Sequence, residues 1–256
     1  MGGTLSTLIG YDNQLHLQSL LGNASGLREM VMRSGEYSVF DDPLVPHVDT
    51  KTADGTTGLM ICAVFDHVDA ARVLLDKGAN PNEVDKYGSH ALIYAATGGH
   101  AEMVKLLLGA KGCKRELANA FDANALWSAA FNGQLECVEI LLTQGRCSTA
   151  PSQKTKSTPL HAAAYTGRVE VVRLLLRYGM TDSKDSLGLS AFMLAEMKGH
   201  TEIADILRQH ERDLADAAAK AARDAAEEEA RRAANPNGLL GEMRRPLKAG
   251  QWHNHS

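Results

Sequence analysis

Long apolar runs, paired cysteines and an excess of basic residues are all absent from this chain of 256 residues. No segment approaches the roughly 20 apolar residues of a membrane-spanning helix. The formal net charge of −4 provides no positive field to hold nucleic acid, so no nucleic-acid partner is predicted. Prolines (7) and aromatic residues (5%) are scarce, while Ala and Leu are plentiful, which favours helices over sheets.

Cysteine usage indicates reduced thiols. Cys62, Cys113, Cys137 and Cys147 form no C-x-x-C pair, so neither a disulfide framework nor a zinc site is expected. Cys62 and Cys137 fall inside apolar helical patterns, where cysteine acts as a small core residue. Because no secretory signal precedes them, we expect a cytoplasmic protein.

Sequence motifs for catalysis are missing as well. There is no Walker loop, no glycine-rich dinucleotide loop, no H-E-x-x-H and no G-x-S-x-G. We therefore predict no catalytic residue, no metal site, no cofactor and no small-molecule substrate, and we expect that the chain is not an enzyme.

What the sequence does contain is a repeat. Five segments share a turn, a short apolar helix, a Gly or Asp break and a Leu-rich second helix; the first helices lead with Leu59, Leu92, Leu126, Leu160 and Phe192. Small residues in the first helix let neighbours approach, and the second helix buries one apolar stripe. Gly78, Gly145 and Gly179 are predicted to end second helices in the left-handed conformation. No unit can bury its apolar faces alone, so the repeats must stack.

The fourth repeat carries a family resemblance. Its run Thr158-Pro159-Leu160-His161-Ala162-Ala163, followed by Gly167 and Leu174-Leu175-Leu176, resembles an ankyrin repeat. The other four repeats depart from the Thr-Pro-Leu-His pattern, which questions the hydrogen bonds of their turns. The resemblance implies an all-α ankyrin-repeat solenoid of helix-turn-helix units.

The predicted organisation has five parts. Residues 1–12 form an acylation-type segment, 13–49 degenerate capping helices and a linker, 50–210 the five repeats, 211–235 a charged Ala-rich helix and 236–256 a flexible tail. The charged segment contains only Leu214 as a large apolar residue, so a long solvated helix is favoured over a coiled-coil seam.

The family resemblance also implies a binding surface. Ankyrin-like stacks contact partners through their turn tips and the exposed ends of their first helices. Those positions hold Phe65, Tyr87, Phe121, Phe131, Tyr165, Leu187 and Met197. We expect these side chains to gather on the concave side and bind another protein, since aromatic residues contribute disproportionately to interfaces. In the alternative, some of them fold back and merely cover the stack.

Gly2 opens an N-myristoylation pattern, Met1-Gly2-Gly3-Thr4-Leu5-Ser6. One myristoyl chain gives only marginal membrane binding, so acylation would make membrane association reversible. The sequence thus favours a non-enzymatic scaffold or adaptor, cytoplasmic or peripheral at a membrane. Two alternatives stay open: a soluble regulatory or inhibitory subunit or assembly chaperone of an enzyme complex, and a structural role in which the charged helix is a spacer.

Overall fold

The computed structural model describes residues 11–32 and 47–234. Within them the chain forms α-helices and no β-strand, which confirms the predicted fold class. The helices are α1 (Tyr11–Leu20), α2 (Ala24–Met32), α3 (Gly58–Val64), α4 (Val68–Asp76), α5 (Ala91–Gly98), α6 (Ala101–Gly109), α7 (Ala125–Asn132), α8 (Leu135–Thr143), α9 (Pro159–Tyr165), α10 (Val169–Arg177), α11 (Ala191–Lys198) and α12 (Thr201–Ala234).

Successive helix pairs stack in two layers. The first helices α1, α3, α5, α7, α9 and α11 each contact the next in this order, and the second helices α2, α4, α6, α8 and α10 do the same. Leu92, Leu126 and Leu160 are buried between the layers. Ala95 and Ala129 of the first helices are also buried, because close helix approach leaves no room for longer side chains.

The first helix of every repeat keeps its N-terminal cap despite the sequence departures. Thr57, His90, Asn124, Thr158 and Ser190 each accept a hydrogen bond from the backbone N–H three residues on. Such a cap contributes about 1 kcal/mol to helix stability. The hydrogen bonds that the sequence left in question are therefore retained.

The fourth repeat adds a second cap interaction. The His161 Nδ1 atom accepts from the Thr158 backbone N–H at 3.2 Å, which completes a capping box. Its Nε2 atom faces the Leu189 carbonyl oxygen of the next repeat at 3.1 Å. His161 thus bonds the local backbone and joins two repeats.

Two of the three predicted left-handed glycines are confirmed. Gly78 and Gly179 have φ values of 87° and 79°. The prediction for Gly145 is wrong: the left-handed residue is Arg146, with φ 47°. Gln144 stays right-handed after α8, so the turn falls one residue later and Cys147 N–H closes it onto the Leu141 carbonyl at 2.9 Å.

The fifth repeat ends the stack with charged side chains. Glu196 occupies the position of the fully buried Ala164, and Arg208 that of Leu176, which is also buried. The two charges pair at 3.4 Å, and the Arg208 guanidinium lies 5.1 Å from the centre of the Phe192 ring. A polar outer face is what a terminal repeat requires in water.

The chain divides after Arg208 into two units, Met1–Arg208 and Gln209–Ser256. In the second unit α12 continues to Ala234, which confirms the predicted C-terminal helix. Its described side chains from Glu211 to Arg231 are all exposed, Leu214 included. Predictions for Gly2, for most of the linker and for the tail after Ala234 lie outside the described residues.

Candidate protein-binding surface

Backbone hydrogen bonds align the turn tips of neighbouring repeats. Lys86 N–H donates to the Asp54 carbonyl at 3.0 Å, and Ala120 N–H donates to the Tyr87 carbonyl at 2.8 Å. This alignment brings Tyr87 beside Phe121, and their rings stack at 6.5 Å between centroids. Both rings are exposed. The structure therefore joins two of the predicted binding residues at the tips of the second and third repeats.

The tip alignment changes between the third and fourth repeats. There, one carboxylate oxygen of Asp122 accepts the backbone N–H groups of Lys154 at 2.8 Å and Thr155 at 2.9 Å. Asp122 has φ 64° and stands where the tips of the first, second and fifth repeats have glycine; Lys156, with φ 56°, takes this position in the fourth. Burial raises the pKa of this carboxyl group, but the N–H donors outweigh burial and hold the pKa below its ordinary value.

A cleft of about 470 Å³ lies at this junction. Asp122 and Trp127 line it from the third repeat, and Lys154 and Ser157 line it from the fourth. The Trp127 indole N–H donates to the Ser157 hydroxyl oxygen at 3.1 Å. Since this bond fixes the indole against the next repeat, Trp127 forms a rigid wall of the cleft.

Trp127 also begins a row of stacked rings. Its ring centroid lies 5.1 Å from that of Phe131, and the Phe131 centroid lies 6.4 Å from that of Tyr165. Stacked pairs of this kind add about 0.5–1.5 kcal/mol each beyond area burial. Phe131 is half-buried and packs against the core, while Tyr165 is exposed. The Lys198 ammonium group lies 4.3 Å above the Tyr165 ring.

Phe65 does not belong to that row. Phe131 and Tyr165 align with Val64 of the second helix pair, whereas Phe65 aligns one residue later, with Asn132 and Thr166. One residue is about 100° around a helix. The Phe65 ring accordingly lies elsewhere and stacks on His67 at 6.1 Å.

The remaining predicted side chains, Leu187 and Met197, are both exposed in the fifth repeat. Leu187 stands at the tip, where Ser186 N–H donates to the Thr155 carbonyl at 2.8 Å. Met197 belongs to α11 and aligns with Tyr165. Sequence reasoning had no signal for Trp127 as a member of the surface, because its partner Ser157 comes from another repeat.

A second set of polar contacts fixes the first-helix ends to the following repeat. Arg168 donates from Nε to the Phe131 carbonyl at 3.4 Å, and the His200 Nε2 atom faces the Tyr165 carbonyl at 3.2 Å. A Cβ atom added to Gly133 would lie 2.7 Å from the Arg168 side chain, and one on Gly167 2.8 Å from the His200 ring. These glycines are needed for the close approach as well as for their positive φ.

Several titratable groups of the stack are buried in its packing or engaged in hydrogen bonds. Burial raises the pKa of the Cys62 and Cys147 thiols to about 12 and that of Cys137 to about 11, so all three stay protonated and unreactive. Tyr94 donates a short hydrogen bond to Asp85, whose other oxygen accepts the Tyr87 and Ser89 N–H groups. Across residues 11–32 and 47–234, no three His, Cys, Asp or Glu side chains are grouped to hold a metal ion.

Fold and site together define a solenoid of stacked helix-turn-helix repeats with exposed aromatic side chains at its turns. A family model described as ankyrin repeats in three copies matches residues 15–119, 110–184 and 126–221. The chain belongs to the ankyrin repeat family, whose members generally mediate protein–protein interactions. Ankyrin repeat proteins are typically non-enzymatic binding scaffolds.

A solved structure and several curated proteins are similar. The crystal structure of EF0377, an ankyrin repeat protein, matches with a TM-score of 0.67 and 26% identity over 76% of this chain and 96% of that one. Inversin from Gallus gallus is 31% identical over 39% of this chain, and inversin from Mus musculus is 31% identical over 41%. The matched segments span only 8% and 9% of those inversins. No helix within the described ranges has the length and hydropathy to cross a membrane.

Proposed function

We propose that this chain is a non-enzymatic scaffold or adaptor that binds a partner protein along its turn tips and first-helix ends. The observation that supports this most is the pair of aromatic stacks, Tyr87–Phe121 and Trp127–Phe131–Tyr165, which leave aromatic rings exposed on a rigid frame. Rings already held in place lose little conformational freedom on association, so more of their burial energy becomes affinity. Adjacent aromatic rings exposed to water are typical of protein–protein interaction sites, where a partner covers them.

The test is affinity capture with matched variants. Tyr165 and Tyr178 are almost equally exposed, 42% and 43%, but Tyr178 follows α10 in the second-helix layer. Tyr87→Ala, Phe121→Ala and Tyr165→Ala would be combined in one variant and compared with Tyr178→Ala. We expect the combined variant to lose a protein that the wild type and Tyr178→Ala retain. Retention by all three chains would contradict the proposal.

The captured partner also separates an adaptor from a regulatory or inhibitory subunit or an assembly chaperone. All of these roles would use the same surface. If the partner is an enzyme, its activity would be measured with and without this chain. An unchanged activity supports the adaptor, and a changed activity or assembly yield supports the alternative.

We also propose that Gly2 is N-myristoylated and gives a cytoplasmic protein a reversible membrane association. The sequence pattern from Gly2 to Ser6 supports this. Cells would be fed an alkyne analogue of myristate and the purified chain tested for its incorporation, with Gly2→Ala as the control. Label in the wild type alone, together with Gly2-dependent membrane fractionation, is the expected result. An unlabelled wild-type chain would contradict it.

A further inference from the structure

Cations surround the end of the aromatic row in the fourth and fifth repeats. Lys198 lies above the Tyr165 ring, and Arg168 reaches the Phe131 carbonyl. Both cations are exposed. Neither is ion-paired to a carboxylate among the described residues, where the ion pairs of these two repeats use Arg173 and Arg208. We call Phe131, Tyr165, Arg168 and Lys198 the cationic aromatic patch.

Most carboxylates of the same two repeats are engaged elsewhere. Asp182 accepts the N–H groups of Ala191 and Phe192, and Asp185 accepts those of Leu187 and Leu189. The other acidic side chains pair with arginines: Glu202 with Arg173, and both Glu196 and Asp205 with Arg208. Glu170 lies in the first turn of α10, where a carboxylate offsets the helix dipole. Most of the negative charge of these two repeats is thus engaged in loop hydrogen bonds and ion pairs, while the cations of the patch have no carboxylate partner among the described residues.

At the other end of the stack, the corresponding turn of the first repeat carries an acidic side chain. Asp66 stands at the position of Gly167, and its carboxylate lies 3.8 Å from His100 Nδ1 of the next repeat. The Phe65 ring beside it stacks on His67, and no Lys or Arg of the described residues lies over it. In the second repeat Lys86 also lies over an exposed ring, 5.0 Å from the centre of Tyr87, but it is ion-paired with Asp54 at 2.6 Å. Among the described residues, the cations that lie beside exposed rings of this row without a carboxylate partner are those of the later repeats, in a chain whose net charge is −4.

We propose that the cationic aromatic patch binds an acidic segment of a partner protein, a short run rich in Asp and Glu. Carboxylates accept strong hydrogen bonds from the Arg168 guanidinium and the Lys198 ammonium group, and the Tyr165 ring gives the peptide backbone a flat surface. Complementary charge would set the orientation and speed of docking. This inference rests on the proposed scaffold function and names the chemistry of the partner at one part of its surface.

The experiment selects peptides from a displayed random library on the full chain. The charge-reversed variant Arg168→Glu with Lys198→Glu is compared with a control, Lys111→Glu with Arg177→Glu. The control makes the same charge change at two exposed positions, one in the turn after α6 and one at the end of α10. We expect peptides enriched in Asp and Glu, bound about tenfold more weakly by the first variant and normally by the control. Raising NaCl should weaken binding to the wild type, since salt screens exposed charges. Circular dichroism would verify that both variants are folded.

Three results would overturn the inference. The first is a set of selected peptides without an excess of acidic residues, and the second is binding of the acidic peptides to the Arg168→Glu, Lys198→Glu variant as tightly as to the wild type. In the third, the binding of vesicles that contain phosphatidylserine requires Arg168 and Lys198, while the binding of the acidic peptides does not. That result would assign the patch to a lipid surface. If peptide binding requires Tyr165 but neither Arg168 nor Lys198, the scaffold function is supported and only the acidic chemistry of the partner is contradicted.

Discussion

The Asp122 carboxylate accepts the backbone N–H of Thr155 at 2.9 Å, across the boundary between the third and fourth repeats. Elsewhere in the stack a tip carbonyl accepts from the next tip, as when Tyr87 accepts from Ala120. A side chain therefore replaces the backbone at this one junction of the described tips. The charge of Asp122 becomes part of what holds two repeats together.

Asp122→Asn should lower the free energy of unfolding by about 1 kcal/mol at pH 7, because a charge-assisted acceptor becomes a neutral one. The folded pKa of Asp122 is lowered, so its stabilisation is present above the unfolded pKa and disappears as the pH falls through the folded value. Urea unfolding at several pH values checks this. Wild type and variant should differ by a constant amount above about pH 5 and converge in acid. A difference that persists in acid would contradict the role of the charge.

His90→Asn should remove a pH dependence of stability. His90 caps α5 through Nδ1, and its buried Nε2 atom has no hydrogen-bond partner among the described residues. Burial lowers the pKa of His90, so the unfolded chain binds the proton more tightly and the wild type loses stability as the pH falls below about 6.5.

The slope can reach about 1.4 kcal/mol per pH unit while the pH lies between the two pKa values. Asparagine retains the cap, as Asn124 shows in the third repeat. Chemical denaturation at pH 7.5, 6.0 and 5.0 would give a flatter profile for His90→Asn. Parallel profiles would show that another group is responsible.

Gly167→Ala should cost more stability than Gly199→Ala. The two glycines have the same φ, 75°, so the strain of adding a side chain is shared. A Cβ at Gly167 would meet the His200 ring at 2.8 Å, whereas one at Gly199 meets nothing within 4 Å.

We expect Gly167→Ala to lower the free energy of unfolding by about 2 kcal/mol and Gly199→Ala by about 1 kcal/mol, measured by urea unfolding. Adding His200→Ala to Gly167→Ala should remove the excess cost, since the ring that the new methyl group meets is then gone. Equal losses for the two glycine variants would contradict the crowding argument.

Glu196→Ala combined with Arg208→Leu should make the chain self-associate. These substitutions restore the residue types that inner repeats bury at the same positions, such as Ala164 and Leu176. An apolar end face exposed to water favours contact with another molecule. Light scattering after size exclusion should show mass increasing with concentration. Arg173→Leu with Glu202→Ala, which removes another ion pair, should stay unchanged.

The sequence was sufficient to predict the repeats because their period and apolar spacing recur. Helices α3 to α11 lie where the pattern placed them, and α12 extends as its Ala-rich charged composition indicated. The N-terminal caps of the first helices were harder to predict. The Thr-Pro-Leu-His pattern is complete only in the fourth repeat, and it gave no reason to expect that His90 or Asn124 would make the same hydrogen bond.

The binding surface was less accessible from sequence. Grouping Phe65 with Phe131 and Tyr165 overlooked a difference of one residue in register, which moves a side chain around the helix. Trp127 and Asp122 act through Ser157 and Thr155, about 30 residues away in sequence. Such contacts depend on how closely two repeats approach, and a one-dimensional pattern does not contain that distance.

The ion pair between Glu196 and Arg208 also constrains how such a chain changes length. If a copy of an inner repeat were placed after the fifth repeat, its small and aliphatic residues would pack against the Glu196 and Arg208 side chains. The two charges would then be buried away from water, which is unfavourable. The same copy inserted between two inner repeats meets matching surfaces on both sides. Growth or shortening of this array would therefore proceed by internal duplication or deletion, with the charged pair kept as the final layer.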